Sequence, residues 1–204
     1  MSARGNTAHA ATGTAVPPVR QRILTAADTL FYAEGIRAVS ADRIIAEAEV
    51  SKVTFYRHFP TKDDLVLAYL RGRSDWERGA VEELRADHPG DPQGTLVALA
   101  RAIVDSSCTT GFRGCPFINA AAEYADPAHP VRRAVAEHRA WFAGLLDDLL
   151  GELGIGMRAA TVDQLVMLRD GAMVTGYLGT GSAPGADTLV DAGRAIIEAA
   201  RRAG

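Results

Sequence analysis

Apolar residues recur at helical spacing along almost the whole chain after an Ala-, Thr- and Gly-rich start. Ile23, Ala27, Leu30 and Phe31 are spaced i, i+4, i+7 and i+8, which places them on one face of a helix. Gly35 follows and is a natural end for that helix. The pattern therefore predicts a first amphipathic helix that buries one stripe.

Two shorter apolar patterns follow, and each begins after a serine that can act as an N-cap. Ser40 precedes a helical stripe in residues 41–48, and Ser51 precedes a short helix in which Phe55 and Phe59 are four residues apart. Only two or three residues separate these patterns. This spacing is typical of a helix-turn-helix.

Helical periodicity continues to the C-terminus, and breaks that contain Pro or Gly divide it. Thr61–Asp64 has the residues of a capping box at the start of a long fourth helix. Five more helices are predicted over residues 92–107, 116–125, 130–153, 158–180 and 187–203. With about nine helices and no convincing strand, the sequence predicts an all-α fold. We divide it into a disordered tail (1–18), a helix-turn-helix domain (19–64) and a larger helical domain (65–204).

Composition and charge narrow the class of protein only slightly. Hydrophobic residues make up 48% and charged residues 23% of the chain, which is an ordinary balance for a globular protein. The net charge is −3, so bulk charge alone does not attract polyanions. No apolar run approaches the roughly 20 residues of a membrane helix, and the N-terminus has no apolar signal segment. We expect a cytoplasmic protein without membrane contact.

The stretch SKVTFYRHFPTK, residues 51–62, has the composition of a recognition helix. Its phenylalanines face inward, whereas its polar residues face outward and toward the N-terminus that enters the major groove. Lysine can donate to guanine or phosphate, and the methyl groups of Thr and Val can contact thymine. Ser51 to Thr54 are expected to face bases, and Tyr56, His58 and Lys62 are expected to contact phosphate. The predicted DNA contacts are Ser40, Ser51, Lys52, Val53, Thr54, Tyr56, Arg57, His58 and Lys62.

Residues 19–70 resemble the DNA-binding domain of the TetR family of bacterial regulators, and residues 40–65 carry the motif. That family has T/S-x-x-x-I-A and then A-G-V-S-x-G-T-x-Y-x-H-F-x-S/T-K-x-x-L, and this chain reads SADRIIAEAEVSKVTFYRHFPTKDDL. The resemblance implies a homodimer that binds a palindromic operator on double-stranded DNA. It also implies a C-terminal domain that binds a small organic effector and releases the DNA. The implied function is a ligand-responsive transcriptional repressor, not an enzyme.

Two residues depart from this family pattern. Glu49 stands where the family has a turn glycine, and a positive φ at a non-glycine residue costs roughly 1 kcal/mol. Val53 stands where the family has a second glycine, on the side that faces the groove. We expect the DNA preference to differ from that of relatives at these two positions.

The larger domain contains candidate effector-lining and dimer-forming residues. The segment GFRGCPFINAAAEYADPAHPVR, residues 111–132, resembles a stretch in one branch of the family, where such helices wall the effector cavity. Asn119 and Glu123 are expected to orient the effector. The predicted lining residues are Trp76, Phe112, Cys115, Phe117, Asn119, Glu123, Tyr124, Trp141, Met167, Met173 and Tyr177. Small and apolar residues on the last two helices predict a four-helix dimer interface of Gly171, Ala172, Gly176, Leu189, Gly193, Ile196, Ile197 and Ala200.

Other functions stay open from the residues alone. Cys108 and Cys115 would serve a thiol-based redox sensor if they were accessible and of low pKa. An all-helical binding or enzymatic domain could contain helices that only mimic the DNA-binding motif. The chain has no G-x-S-x-G elbow, and its histidines show no zinc spacing with the cysteines. We therefore predict no catalytic residue, no metal and no cofactor.

Overall fold

The computed structural model describes residues 18–156, 158–179 and 185–203, and these fold into nine α-helices without a strand. The all-α prediction is confirmed. The predicted tail, apart from Pro18, and most of the loop before the last helix lie outside the described residues. The helices are α1 (Val19–Glu34), α2 (Ala41–Glu47), α3 (Lys52–His58), α4 (Lys62–Asp87), α5 (Pro92–Ser107), α6 (Pro116–Glu123), α7 (Pro130–Glu152), α8 (Arg158–Leu178) and α9 (Ala186–Ala203).

Local side-chain caps explain why α2, α3 and α4 begin where the sequence predicts. The Ser40 hydroxyl accepts from the Arg43 N–H at 3.2 Å, and the Ser51 hydroxyl accepts from the Thr54 N–H at 3.1 Å. At the start of α4, Thr61 and Asp64 form a complete capping box. Each cap satisfies a backbone donor that the first helical turn leaves free, and a cap contributes about 1 kcal/mol.

The first hydrophobic core lies under α1 to α4 and continues into the larger domain. Phe55 is completely buried among residues of α1, α2 and α4, and burial of such a side chain stabilises the fold by about 1.5–3 kcal/mol. Phe117 of α6 and Val131 of α7 belong to the same cluster. The helix-turn-helix domain therefore packs directly on α6, and residue 64 does not separate two independent cores.

The second core fills the space between α7, α8 and the C-terminal half of α4. Leu149, Leu150 and Ile155 are its most buried members, and Ile196 and Ile197 of α9 pack against it. Part of the apolar stripe of α9 is thus packed against other helices of the same chain. In the part of the chain that the structure describes, no helix is both long and apolar enough to span a membrane.

Candidate functional site

A tight turn between α2 and α3 sets the angle between these two helices. The Val50 N–H donates to the Ile45 carbonyl at 3.2 Å, and the Glu49 N–H donates to the Ala46 carbonyl at 3.2 Å. Glu49 has a φ of 52°, the left-handed conformation expected for a position where glycine is usual. The turn geometry is kept without the glycine.

The two faces of α3 differ sharply in exposure. Phe55 and Phe59 are 0% and 3% exposed and anchor the helix to the core, whereas Val53 is 80% exposed on the opposite side. Ser51, Lys52, Tyr56 and Arg57 are exposed as well, and Thr54 and His58 are partly exposed. An anchored helix with this outer face can enter a DNA major groove without losing its own packing.

Lys52 is tied to α2 in the free protein. Its ammonium lies 3.0 Å from the Asp42 carboxylate, and this hydrogen bond raises the pKa of Lys52. Both side chains are well exposed, at 65% and 74%. Such a pair contributes little to stability, so DNA can displace Asp42 at a small cost.

Lys62, a predicted phosphate contact, makes a different contact. Its ammonium donates to the Ile36 carbonyl at 2.6 Å and lies 5.8 Å from the centre of the Phe31 ring. Burial lowers the pKa of Lys62, although the Glu123 carboxylate opposes this change. The structure therefore assigns Lys62 to the positioning of the α1–α2 loop, which the sequence did not indicate.

Glu123 holds the same loop from the other side. One of its carboxylate oxygens accepts from the Ile36 N–H at 2.9 Å and the other accepts from the Arg37 N–H at 2.6 Å. At Gly35, with a φ of +94°, an added Cβ would lie 3.3 Å from this carboxylate. The end of α6 is thus joined to the helix-turn-helix domain through a bidentate contact with backbone N–H groups.

Further hydrogen bonds complete the joint between α6 and the DNA-binding domain. The Tyr32 hydroxyl donates to the Gly114 carbonyl at 3.0 Å and accepts from the Arg113 N–H at 3.0 Å. The Tyr124 hydroxyl donates to the Asp63 carboxylate at 2.9 Å. Burial raises the pKa of Tyr124, which keeps this phenol protonated and able to donate. We call these contacts, with those of Glu123, the α6 joint.

An apolar groove lies elsewhere in the larger domain, between α5, α7, α8 and α9. Leu96, Leu99, Phe142, Leu146 and Leu165 are among the residues that line it. The space within it, counted together with its open mouth, is about 800 Å³. Its lining is mainly aliphatic with a few charged residues, which is the usual character of a small-molecule site. The lining residues of α5 recur at helical spacing. The sequence therefore reveals an apolar stripe on α5, but it does not reveal which helices pack over that stripe.

None of the predicted effector-lining residues lines this groove, and their role in an effector site stays a prediction. Three of them, Cys115, Phe117 and Met173, belong to the first core, and Phe112 packs against it. Three other predicted lining residues belong to the α6 joint or support it. Asn119 supports the joint, since its side-chain amide donates to the Arg113 carbonyl at 2.7 Å. The supporting or joint-forming residues are Asn119, Glu123 and Tyr124.

The remaining predicted lining residues lie on outer faces. Trp76 and Met167 are 66% and 65% exposed. Tyr177 is exposed beside the Arg113 guanidinium, and Trp141 is half-buried beside that of Arg78. The aromatic and methionine content suggested a pocket, but helical phase directs these side chains away from the groove.

The predicted dimer residues divide between the inside and the outside of the chain. Leu189, Gly193 and Ile197 line the groove, and Ile196 and Ala200 pack against the second core. An added Cβ at Gly176 would lie 2.7 Å from Ser107, so this glycine permits α8 to approach α5. These residues therefore make contacts within one chain, and their part in a dimer interface stays a prediction.

The outer face of α8 is instead apolar and exposed. Val174 and Leu178 are 43% and 69% exposed, and Met167 lies on the same helix. Gly171 has open space around it, and Ala172 is half-buried. These residues keep α8 available for contact with a second subunit.

The two cysteines differ in accessibility. Cys108 is exposed and Cys115 is buried, and both are free thiols. Cys115 lies at the start of α6, where its sulfur accepts from the Arg169 guanidinium at 3.4 Å. A redox sensor that pairs these thiols would first have to expose Cys115.

A recognition helix on a compact three-helix core, joined to a second helical domain with an apolar groove, defines a helix-turn-helix DNA-binding protein. Residues 23–69 match the family model described as bacterial regulatory proteins, tetR family. The repressor BepR of Brucella suis is 30% identical over 170 residues, which cover 78% of each chain. The chain belongs to the TetR family and is a transcriptional regulator.

Solved structures agree with this assignment. The TetR-family regulator SCO4454 of Streptomyces coelicolor is 46% identical, covers 90% of this chain and 94% of its own, and superposes with a TM-score of 0.79. The multidrug binding protein EbrR, solved with malachite green, has the same fold at 23% identity and a TM-score of 0.67. It covers 88% of this chain and 98% of its own.

Proposed function

We propose that this chain is a homodimeric cytoplasmic repressor that binds a palindromic operator and releases it when a small organic effector enters the groove. The outer faces of α3 in the two subunits would enter successive major grooves, with Ser51 to Thr54 toward bases. Tyr56, Arg57 and His58 would contact phosphates. The exposed apolar face of α8 would form the dimer interface.

The observation that carries this proposal is the α6 joint. Because Glu123 and Tyr124 bind the α1–α2 loop and the start of α4, a shift of α6 must move the helix-turn-helix domain. The spacing of the two α3 helices in a dimer sets which operator fits. A displacement of α6 by a ligand would therefore change operator affinity. The binding of malachite green by EbrR supports an organic effector in this fold.

The DNA-binding part is tested by titrating the full-length protein against its own upstream DNA in fluorescence anisotropy. Affinity should fall steeply with salt, because each phosphate contact releases counterions. An unrelated duplex of the same length is the control. Equal binding to both duplexes at every salt concentration would contradict the assignment of α3 as a sequence-reading helix.

The effector part is tested by filling the groove. Ala100 lines it on α5, whereas Ala102 is exposed on the same helix. A panel of apolar organic compounds that includes malachite green is screened for release of the operator. Ala100→Phe should abolish release by an active compound and keep operator binding, and Ala102→Phe should keep both. Unchanged release from Ala100→Phe would place the effector elsewhere.

A further inference from the structure

A buried arginine belongs to the lining of the apolar groove. Arg169 of α8 lines the groove, and its side chain is only 11% exposed. Its guanidinium also lies 5.3 Å from the centre of the Phe142 ring, a groove residue. A permanent positive charge at an apolar surface is costly unless a partner compensates it, so its partners decide what the groove can bind.

Arg169 is only partly compensated within the chain. Its Nη1 atom donates to the Asp170 carboxylate at 3.1 Å and to the Cys115 sulfur at 3.4 Å. Asp170 also accepts from the Arg139 guanidinium at 2.7 Å, so one carboxylate serves two arginines. The Arg169 Nε atom is buried and has no hydrogen-bond partner among the described residues.

The unused donor belongs to the edge of the guanidinium that suits a carboxylate. Nε and Nη2 of an arginine can donate in parallel to the two oxygens of one carboxylate. Arg73 shows this arrangement elsewhere in the chain, with distances of 2.6 and 2.9 Å to Asp28. In Arg169 no described acidic residue fills this edge. Because its Nε atom is covered, a carboxylate in the groove would reach this edge once the guanidinium turns toward the groove.

The other charged residues of the groove have the same sign bias. Arg194, Arg201 and Glu198 lie at its lining, and Arg194 is paired with Asp191 outside it. With Arg169, the lining has three arginines and one glutamate on a surface that is otherwise mainly aliphatic. Asp170 and Asp191 pair with two of these arginines from outside the lining, so the preference for an anion rests on the donor of Arg169 that is left unpaired.

We propose that the groove binds an apolar organic carboxylate, with its hydrocarbon body along Leu96, Leu99 and Leu146 and its carboxylate on Arg169. This inference rests on the proposed function, since it names the chemical class of the effector for the same groove. A single acidic group on an apolar molecule matches one buried guanidinium in the lining of an apolar groove.

Arg169 also connects the groove to the α6 joint. Its contact with Cys115 reaches the residue that precedes α6, and Glu123 is the last residue of that helix. A carboxylate that draws the guanidinium into the groove would remove the Cys115 contact and free the start of α6. The ligand and the DNA-binding domain would then communicate through the two ends of one eight-residue helix.

The test compares ligands of one size and different charge on the full-length protein. Decanoate, 1-decanol and decylammonium are titrated by calorimetry, and 2-naphthoate and 2-naphthol form a second pair with an aromatic body. At least one acid should bind about tenfold or more tightly than its uncharged partner, as expected for a charge-assisted hydrogen bond. The acid that binds more tightly indicates whether the apolar part of the natural effector is an alkyl chain or a ring system.

Three variants locate the binding. Arg169→Met should reduce the preference for the acid to about twofold or less, and Arg169→Lys should retain part of it. Ala100→Phe fills the groove without removing the arginine and should weaken acid and alcohol together. Thermal unfolding checks that each variant is folded. If Arg169→Met does not fold, the test relies on the other two variants. A reduced acid preference in Arg169→Lys and weaker binding of both ligands in Ala100→Phe would then support the site, and unchanged binding in both would contradict it.

The outcomes separate this inference from the proposed function. Equal binding of the acid and its uncharged partner, or no binding of either acid, overturns the inference. An acid preference that survives in Arg169→Met also overturns it. Arginine-dependent acid binding that does not release the operator supports the ligand class and contradicts effector control. Release by decylammonium that Ala100→Phe abolishes supports effector control and overturns the ligand class.

Discussion

The carboxylate of Glu123 should couple the larger domain to DNA binding, and Glu123→Gln tests this with a minimal change of shape. The wild-type carboxylate accepts two charge-assisted hydrogen bonds, from Ile36 and Arg37. Glutamine has one acceptor oxygen, so one backbone N–H loses its partner. Ile36 is 3% exposed, whereas Arg37 is at the surface. We therefore expect a loss of about 2 kcal/mol, near the lower part of the range for bonds to charged groups.

This loss should be visible in two measurements. A decrease of about 2 kcal/mol in a chain of 204 residues corresponds to a fall in Tm of roughly 4–8 °C. In DNA titrations, the operator Kd of the free protein should change, and its further change on addition of a groove ligand should shrink. Both effects follow because the helix-turn-helix domain is less firmly attached to α6.

Glu83→Gln is the matched control for Glu123→Gln. Glu83 is an exposed carboxylate of α4 that makes no hydrogen bond among the described residues. It should leave both Tm and the ligand response unchanged. The reasoning is refuted if Glu123→Gln melts at the same temperature as Glu83→Gln and responds fully to the ligand. A lower Tm with an intact response would assign Glu123 to stability alone.

Three other substitutions test the DNA-binding and dimer surfaces. Asp42→Asn should free Lys52 and tighten operator binding a few-fold with little effect on Tm, and weaker binding would contradict this. Lys62→Met should lower stability by about 1–2 kcal/mol, while the slope of log Kd against log salt stays unchanged; a slope smaller by about one would restore its phosphate role. Leu178→Glu should give a monomer in sedimentation velocity and a weaker operator complex, and an unaltered dimer would exclude this face of α8.

Matched variants exist for these three tests. Asp87→Asn is the control for Asp42→Asn, since it removes a carboxylate at the far end of α4. Arg57→Gln is the comparison for Lys62→Met, since it should lower the slope of log Kd against log salt if Arg57 contacts phosphate. Ala140→Glu adds a charge to an exposed position of α7 outside the α8 face. A shift of the dimer equilibrium in Ala140→Glu equal to that in Leu178→Glu would show a non-specific effect of charge.

Features that depend on near neighbours in the chain were predictable from the sequence. Ser40 and Ser51 cap helices through N–H groups three residues ahead, and the spacing of Phe55 and Phe59 defines the buried side of α3. The left-handed conformation of Glu49 was also expected, because the turn requires it whatever residue is present. Most of the helix-turn-helix follows from such local rules.

The α6 joint and the groove were not predictable, because their partners are distant in sequence. Ile36 is 26 residues from Lys62 and 87 residues from Glu123. A polar residue beside apolar ones indicates a partner but not whether the partner is a ligand or a backbone group. Similarly, an apolar stripe on α9 indicates burial without telling whether α5 or another subunit covers it. Helix packing decides both questions.

The α6 joint has a consequence for how DNA specificity can be exchanged. Glu123 binds main-chain N–H groups, so the contact does not depend on the side chains of the loop it holds. Recognition sequences could therefore diverge while transmission from the larger domain is preserved. A chimera with the first 64 residues of a relative should remain responsive if its loop presents the same two N–H groups and its side chains still fill the core shared with α6 and α7. The loop contact of Glu123 is in this respect independent of the DNA sequence that the protein reads.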